Sequence, residues 1–163
     1  MRLLKLKNRK EVLAWSLYDF ANQPFTTIIV TFIYSAFFTK VIAENEQLGT
    51  TMWANAIAIT AVIVAILSPI FGAIADTGGY RKFFLFLFTW ICAFFSMLLY
   101  FPDSGDVYFA LILFIVANVS FEMGTVFCNS YLPELSENHN SGFISGFAWG
   151  LGFVGGLIAL LIS

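Results

Sequence analysis

Five long runs of apolar residues restrict the fold of this chain more than any other feature of its sequence. They cover about residues 12–43, 51–75, 83–101, 107–128 and 142–162. Each run reaches the roughly 20 residues that an α-helix needs to cross the hydrocarbon core of a bilayer. Short polar links separate the runs. The pattern therefore predicts an all-α, polytopic transmembrane bundle of five spans, with residues 12–163 as its membrane domain.

Charged residues are too scarce for a water-soluble protein. They make up 11% of the chain, against about 25% in soluble domains. Cys92 and Cys128 fall inside apolar runs, where we expect them to pack as small side chains rather than bind a metal. The sequence has no nucleotide-binding glycine loop and no nucleophile motif. We therefore expect no cofactor, no metal, no enzymatic activity and no nucleic-acid partner.

The positive charges predict the orientation in the membrane. Five of the eight cations lie in the basic N-terminus, residues 1–11, and Arg81 and Lys82 follow the second run. The opposite side of the bundle has only Lys40. Since cytoplasmic loops carry the excess of Lys and Arg, we expect a cytoplasmic N-terminus. The first run is too long for the apolar core of a signal peptide, so we interpret it as a retained span.

Polar side chains share one face of the first span. Asp19, Asn22 and Gln23 have the spacing of one helix face, and Pro24 deprives the carbonyl of Phe20 of its helical partner. A carboxylate inside the bilayer costs about 2.5–3.5 kcal/mol, so it normally faces a cavity or a partner. Two interpretations stay open for Asp19: a residue of a solute pathway, or an ion-pair partner close to the membrane surface.

The fourth span has a similar polar face, formed by Asn118, Glu122, Thr125 and Asn129. Glu122 lies deeper in its span than Asp19 does. The functional hypothesis is a solvated cavity in which Glu122 binds substrate or carries a proton. The alternative is a structural hydrogen bond to a neighbouring helix.

Two spans carry stripes of small residues, which allow helices to approach closely in lipid. The stripe of the second span consists of Ala54, Ala58, Ala61, Ala65, Ser68 and Gly72. The fifth span has Gly142, Gly146 and Gly150, followed by Gly152 and Gly156. Packing within the chain and contact with a partner outside it both remain open.

The turn between the second and third spans reads G-A-I-A-D-T-G-G-Y-R-K over residues 72–82. It resembles the loop pattern G-x-x-x-D-R-x-G-R-R of major facilitator superfamily transporters. Gly72, Asp76, Gly79 and Arg81 match this pattern, and Lys82 extends its basic end. Thr77 and Tyr80 stand where the family has arginine.

Three further stretches, residues 15–25, 129–135 and 141–157, resemble the vacuole-effluxer branch of that superfamily, the autophagy-related protein twenty-two-like proteins. The resemblance implies five of the first six helices of a twelve-helix secondary transporter that works by alternating access. It also implies a missing C-terminal half that meets the stripe of the second span. The solute would be small, such as an amino acid for efflux.

By the same resemblance, Asp76, Arg81 and Lys82 belong to a gate, with Gly72 and Gly79 in its loop. The polar faces of the first and fourth spans lead to the hypothesis that the pathway is lined by Asp19, Asn22, Gln23, Asn118 and Glu122. The membrane would be the cytoplasmic membrane of a bacterium or a vacuolar-type membrane of a fungus. The last residues stand directly at the end of the fifth span, from which we expect a truncated chain. The alternative is a small membrane protein that folds alone or oligomerises and transports nothing.

Overall fold

Helices form all the regular secondary structure in the described part of this computed structural model, which comprises residues 9–136 and 140–163. In chain order they are α1 (Arg9–Pro24), a first π-helical segment (Phe25–Phe32), α2 (Ile33–Phe37), a second π-helical segment (Phe38–Ile42), α3 (Glu46–Gly78), α4 (Arg81–Leu98), α5 (Val107–Asn129), α6 (Leu132–Leu135) and α7 (Ser141–Ile162). Most of the predicted basic N-terminus, residues 1–8, lies outside the described residues.

Five stretches of these helices are long and apolar enough to cross a membrane, which confirms the predicted all-α, multi-pass fold. The first, Arg9–Ile42, joins α1, α2 and both π-helical segments into 34 helical residues. The others are Glu46–Gly78, Arg81–Leu98, Val107–Leu135 and Ser141–Ile162. The number and order of spans agree with the apolar runs of the sequence.

Helix α3 extends beyond its apolar run because both of its ends are capped. The side chain of Asn45 accepts hydrogen bonds from the backbone N–H groups of Gln47, at 2.9 Å, and Leu48, at 3.2 Å. Side chains of this kind satisfy the free donors of a first helical turn. At the other end Gly79 has φ +68°, a left-handed conformation that suits glycine and stops the helix. As a result, Asp76 belongs to the last turn of α3 rather than to a loop.

The first span changes its helical type directly after Pro24. Proline has no N–H group, so it cannot donate to the carbonyl of Phe20 as a helical residue would. Beyond it the hydrogen bonds span five residues, as in the bond from Ile33 N–H to the carbonyl oxygen of Ile28. The second π-helical segment ends in the same way, with Ala43 N–H bonded to the oxygen of Phe38 at 2.9 Å. Such π-helical turns are rare and are frequently found at functional sites.

The chain divides into two compact units. The first comprises residues 1–34 and 131–163, and in its described part α1 and the first π-helical segment pack against α7. The second comprises residues 35–130, in which α5 packs against both α3 and α4. Helix α5 is the most buried of the five spans, which makes it the centre of the second unit.

Two groups of aromatic rings hold α5 in place. Near its start, Phe114 stacks on Trp53 of α3 at 3.9 Å between ring centroids. Near its end, Phe127 stacks on Phe84 and Phe88 of α4, at 5.3 and 5.9 Å. We call these groups the Phe114 layer and the Phe127 layer. The residues between them, 115–126, include every polar side chain that the sequence analysis singled out within this span except Asn129, which follows the second layer.

Candidate transport pathway and gating hairpin

The carboxylate of Asp19 lies against a glycine in the middle of α7. A Cβ atom added to Gly152 would lie 3.2 Å from Oδ2 of Asp19 and 3.4 Å from its backbone oxygen. Gly152 is buried and stands 11 residues after Ser141, the first residue of α7. At 1.5 Å per residue, Asp19 is therefore level with a point about 16 Å along α7.

The next turns of the first span also rest on glycines of α7. A Cβ atom on Gly156 would lie 3.3 Å from Cγ of Gln23, and one on Gly155 would overlap the carbonyl oxygen of Phe20. The contacts advance along both helices together, so α1 and α7 run in the same direction. The carbonyl group that Pro24 leaves without a helical donor thus packs against a residue with no side chain.

Asp19 and Gln23 consequently share the face of the first span that meets α7, and both are half-buried. Asn22 is also half-buried, one helical position away from that contact. Among residues 9–136 and 140–163, no hydrogen-bond donor or cation is bonded to the carboxylate of Asp19. Within the described part of the first unit, the contacts of this carboxylate are van der Waals contacts rather than hydrogen bonds or ion pairs.

The polar residues of α5 differ in their exposure. Asn118 is 5% exposed and therefore buried. Glu122, one turn later, is exposed, as is Asn129, while Thr125 is half-buried and its hydroxyl donates to the oxygen of Phe121 at 3.1 Å. The predicted polar face of α5 is therefore partly buried and partly exposed.

Glu122 stands seven residues before the end of α5, or about 10 Å along the helix axis. In the described part of the chain, no donor or cation is bonded to its carboxylate. A structural hydrogen bond to a neighbouring helix, the alternative interpretation, is therefore absent from residues 9–136 and 140–163. An exposed carboxylate at this depth requires water, an ion, a solute or a further protein segment beside it.

Thr60 is a polar residue that the sequence analysis did not single out. It lies on α3, it is 1% exposed, and its hydroxyl has no hydrogen-bond partner among the described residues. Other hydroxyls of these helices bond to the carbonyl four residues earlier, for example Ser68 to Val64 at 2.7 Å and Ser120 to Val116 at 2.8 Å. No signal in the sequence distinguishes Thr60 from such residues, since the difference lies in the orientation of its side chain.

An ion pair organises the turn between α3 and α4. Arg81 donates to a single oxygen of Asp76, Oδ1, from Nη2 at 2.7 Å and from Nε at 2.8 Å. The side chain of Asp76 is 62% exposed. Between them, Gly79 gives the turn its left-handed residue, and Tyr80 N–H donates to the oxygen of Ala75 at 3.1 Å. The turn thus brings together three of the five residues expected in the gate.

The other two expected gate residues stand apart from this ion pair. Lys82 is exposed in the first turn of α4. Gly72 lies one turn before Asp76 on α3, and a Cβ atom added there would meet nothing within 4 Å. Gly72 is therefore not required for packing among the described residues.

Thr77 and Tyr80, the two residues that depart from the family pattern, both contact the hairpin itself. Thr77 donates its hydroxyl to the oxygen of Ala73 at 2.9 Å. The ring of Tyr80 covers Gly78, where any Cβ atom would collide with it. Neither residue supplies the charge that an arginine would bring, so in this turn Arg81 is the cation that pairs with Asp76.

The small-residue stripes have different environments. On α3, Ala54, Ala58, Ala61 and Ala65 are exposed, and a shallow depression runs beside them along Asn55, Ala58, Ile59, Val62 and Ile63. On α7, a Cβ atom on Gly142, Gly146 or Gly150 would meet nothing within 4 Å. The second glycine group of α7 is packed against the first span. On α7, one glycine group thus packs within the chain, while the other is open among the described residues. Contact of the open group with a partner outside the chain stays a prediction.

The family model described as "Vacuole effluxer Atg22 like" matches residues 49–163 of the chain. The chain belongs to the Atg22-like vacuole effluxer family. This match includes the hairpin between α3 and α4, the polar face of α5 and the glycines of α7. It confirms the resemblance read from the turn at residues 72–82 and from the stretches after residue 129.

Similar curated proteins agree with this family. An uncharacterized MFS-type transporter, YxiO, of Bacillus subtilis is 30% identical over 94% of this chain and 37% of its own length. An uncharacterized protein of Aquifex aeolicus is 30% identical over 94% of the chain and 38% of its own length. Autophagy-related protein 22 of Chaetomium globosum is 38% identical over 50% of the chain and 12% of its own length. No solved structure matches.

The chain therefore spans less than two fifths of the length of the curated relatives that it matches over most of its own length. The Atg22-like proteins to which it is similar contain a large segment that has no counterpart in this chain. What these residues establish is a multi-pass membrane protein of the Atg22-like family.

Proposed function

We propose that this chain is the N-terminal portion of a secondary-active transporter that moves a small solute by alternating access. The observation that carries the proposal is the pair of membrane carboxylates, Asp19 and Glu122, in a chain of the Atg22-like family. Neither has a partner among the described residues, although each is costly to place in a membrane. Transporters bind solutes and ions near the midplane, where such groups contact water or cargo.

In this proposal Asp19, Asn22, Gln23, Asn118 and Glu122 line the pathway. The depth of Asp19, level with the middle of α7, favours a pathway role over an ion pair at the membrane surface. Glu122 contributes an exposed carboxylate from α5. An amino acid is the proposed solute because the Atg22-like branch suggests it, and its direction of transport would be efflux.

The gate would be the hairpin of Asp76, Arg81 and Lys82. Only one oxygen of Asp76 is engaged by Arg81, and the side chain is largely exposed. A remaining carboxylate oxygen and a free-standing Lys82 are suitable groups for a charged contact with the segment that the relatives have in addition. The exposed alanines of α3 would face that same segment and allow its helices to approach closely.

The distribution of Lys and Arg supports a cytoplasmic position for the hairpin, together with the N-terminus. Replacing Lys82 by cysteine tests this orientation. A membrane-impermeant maleimide should label that cysteine in inside-out vesicles and not in intact cells. Labelling of intact cells would contradict the orientation.

The main experiment measures transport by the full-length protein in proteoliposomes with a panel of radiolabelled amino acids. Glu122→Gln removes the charge at nearly constant volume and should strongly reduce uptake and change its pH dependence. Glu44→Gln is the matched control, since Glu44 is exposed in the link before α3. Unchanged uptake by Glu122→Gln would refute its pathway role. Absence of transport for the whole panel would refute the amino-acid proposal and favour a non-transporting membrane protein.

A further inference from the structure

Asp19 makes a contact that singles out one glycine of α7. When a Cβ atom is placed on Gly152, its three nearest neighbours all belong to Asp19: Oδ2 at 3.2 Å, Cγ at 3.4 Å and the backbone oxygen at 3.4 Å. The closest of these atoms belongs to the carboxylate itself. A methyl group at residue 152 would therefore press on the carboxylate before it touched anything else.

The glycines around it make different contacts. The Cβ position of Gly155 meets the backbone of Phe20, and that of Gly156 meets Gln23 and Thr27. The Cβ positions of Gly146 and Gly150 meet nothing within 4 Å. Gly152 is thus the glycine of α7 whose missing side chain leaves room for an ionisable group.

Packing alone holds this carboxylate. No donor or cation of residues 9–136 and 140–163 is bonded to it, so hydrogen bonds within the described chain do not orient it. The side chain has few rotatable bonds, and the surface of α7 limits where its oxygens can lie. A Cβ atom at 3.2 Å is closer than ordinary van der Waals contact and would move the carboxylate by a few tenths of an ångström.

We propose that Gly152 is a positioning residue for Asp19, which keeps the carboxylate at the depth and angle that transport requires. The proposal rests on the proposed function, in which Asp19 belongs to the pathway. Gly152 would not touch the solute. Because Gly152 has no side chain, the carboxylate can pack against the surface of α7 at this point. The same surface limits where the carboxylate can lie and leaves it accessible to a solute.

The test uses the full-length protein and two readouts. The first is uptake of radiolabelled amino acids into proteoliposomes. The second is the rate at which dicyclohexylcarbodiimide modifies the peptide containing Asp19, followed by mass spectrometry, which needs no known solute. Gly152→Ala should reduce uptake about threefold to tenfold, since a misplacement of about 1 Å can cost about 100-fold. It should also slow modification of Asp19, because the added methyl group crowds the carboxyl.

Gly146→Ala is the matched control and should change neither readout. Asp19→Asn should abolish uptake. Wild-type uptake and labelling by Gly152→Ala would overturn the proposal while leaving the transporter function intact. Wild-type uptake by Asp19→Asn would instead remove Asp19 from the pathway and overturn the proposal with it. If no solute is transported, the proposed function fails, and the proposal falls with it whatever the labelling rate shows.

Gly152→Ala could also impair folding. In that case Asp19→Ser, whose shorter side chain withdraws from residue 152, should restore the yield of folded protein when combined with Gly152→Ala. Failure of Asp19→Ser to restore folding would show that the carboxylate is not what the methyl group meets, and would overturn the proposal.

Discussion

Packing of the first span on α7 predicts a large steric penalty at Gly155. In Gly155→Ala the new methyl group overlaps the carbonyl oxygen of Phe20 and comes within 3.0 Å of Cδ2 of its ring. The obstacle is backbone, so it cannot move aside as a flexible side chain would. Overpacking of this kind typically costs about 1–3 kcal/mol.

Gly146→Ala isolates the steric part of this penalty. Both substitutions gain the same helix propensity, about 1 kcal/mol for alanine over glycine, but the Cβ position of Gly146 is open. The difference in the free energy of unfolding between the two variants should therefore equal the overpacking term. Gly155→Ala should be the less stable by about 1–3 kcal/mol.

Equilibrium unfolding of the full-length protein in mixed detergent micelles measures this difference, with helical circular dichroism as the signal. Two variants that agree within about 0.5 kcal/mol, the usual size of surface effects, would refute the close approach of α1 and α7. A less stable Gly146→Ala would refute the open environment of the first glycine group.

Two further predictions concern Thr60 and the hairpin proposed as the gate. Thr60→Val removes a buried hydroxyl without a partner in the described residues and should raise the free energy of unfolding by about 1–3 kcal/mol, while Thr125→Val, which loses a hydrogen bond, should leave it unchanged or lower it. A destabilised Thr60→Val in the same unfolding assay would contradict this. Asp76→Asn should reduce transport but change stability by no more than about 1 kcal/mol, because its ion pair with Arg81 is exposed. Wild-type transport together with a large loss of stability would make that pair structural.

The sequence predicts the spans well because their cause is local. A run of about 20 apolar residues without charge has few alternatives to a membrane helix, whatever its neighbours are. The boundaries are less predictable where a cap decides them. Asn45 starts α3 five residues before its predicted beginning at Thr51, and the helix continues through Asp76 until Gly79 ends it. The residues at both ends of α3 are polar, as in a loop, although Asn45 and Gly79 are typical capping residues.

The contacts of the glycines could not be predicted in the same way. Gly142, Gly146 and Gly150 have the regular spacing that favours close helix packing, yet they are open in this chain. Gly155, which falls outside both spacing patterns, makes the closest approach to the first span. A spacing pattern describes one helix only. The depth of Asp19 likewise depends on α7, so the first span alone could not place it.

The two membrane carboxylates are held in different ways, and this difference suggests different roles. Asp19 packs against the helix surface at Gly152, so a shift of the first span along α7 would change the surroundings of its carboxylate. Glu122 projects from α5, which the Phe114 and Phe127 layers fix on either side. Its helix is thus fixed while its side chain is exposed. The first span has π-helical turns directly after Pro24, in which the hydrogen bonds span five residues instead of four. In the proposed alternating-access cycle, we therefore expect a movement of the first span along α7 to shift Asp19, whereas Glu122 should keep its place on α5.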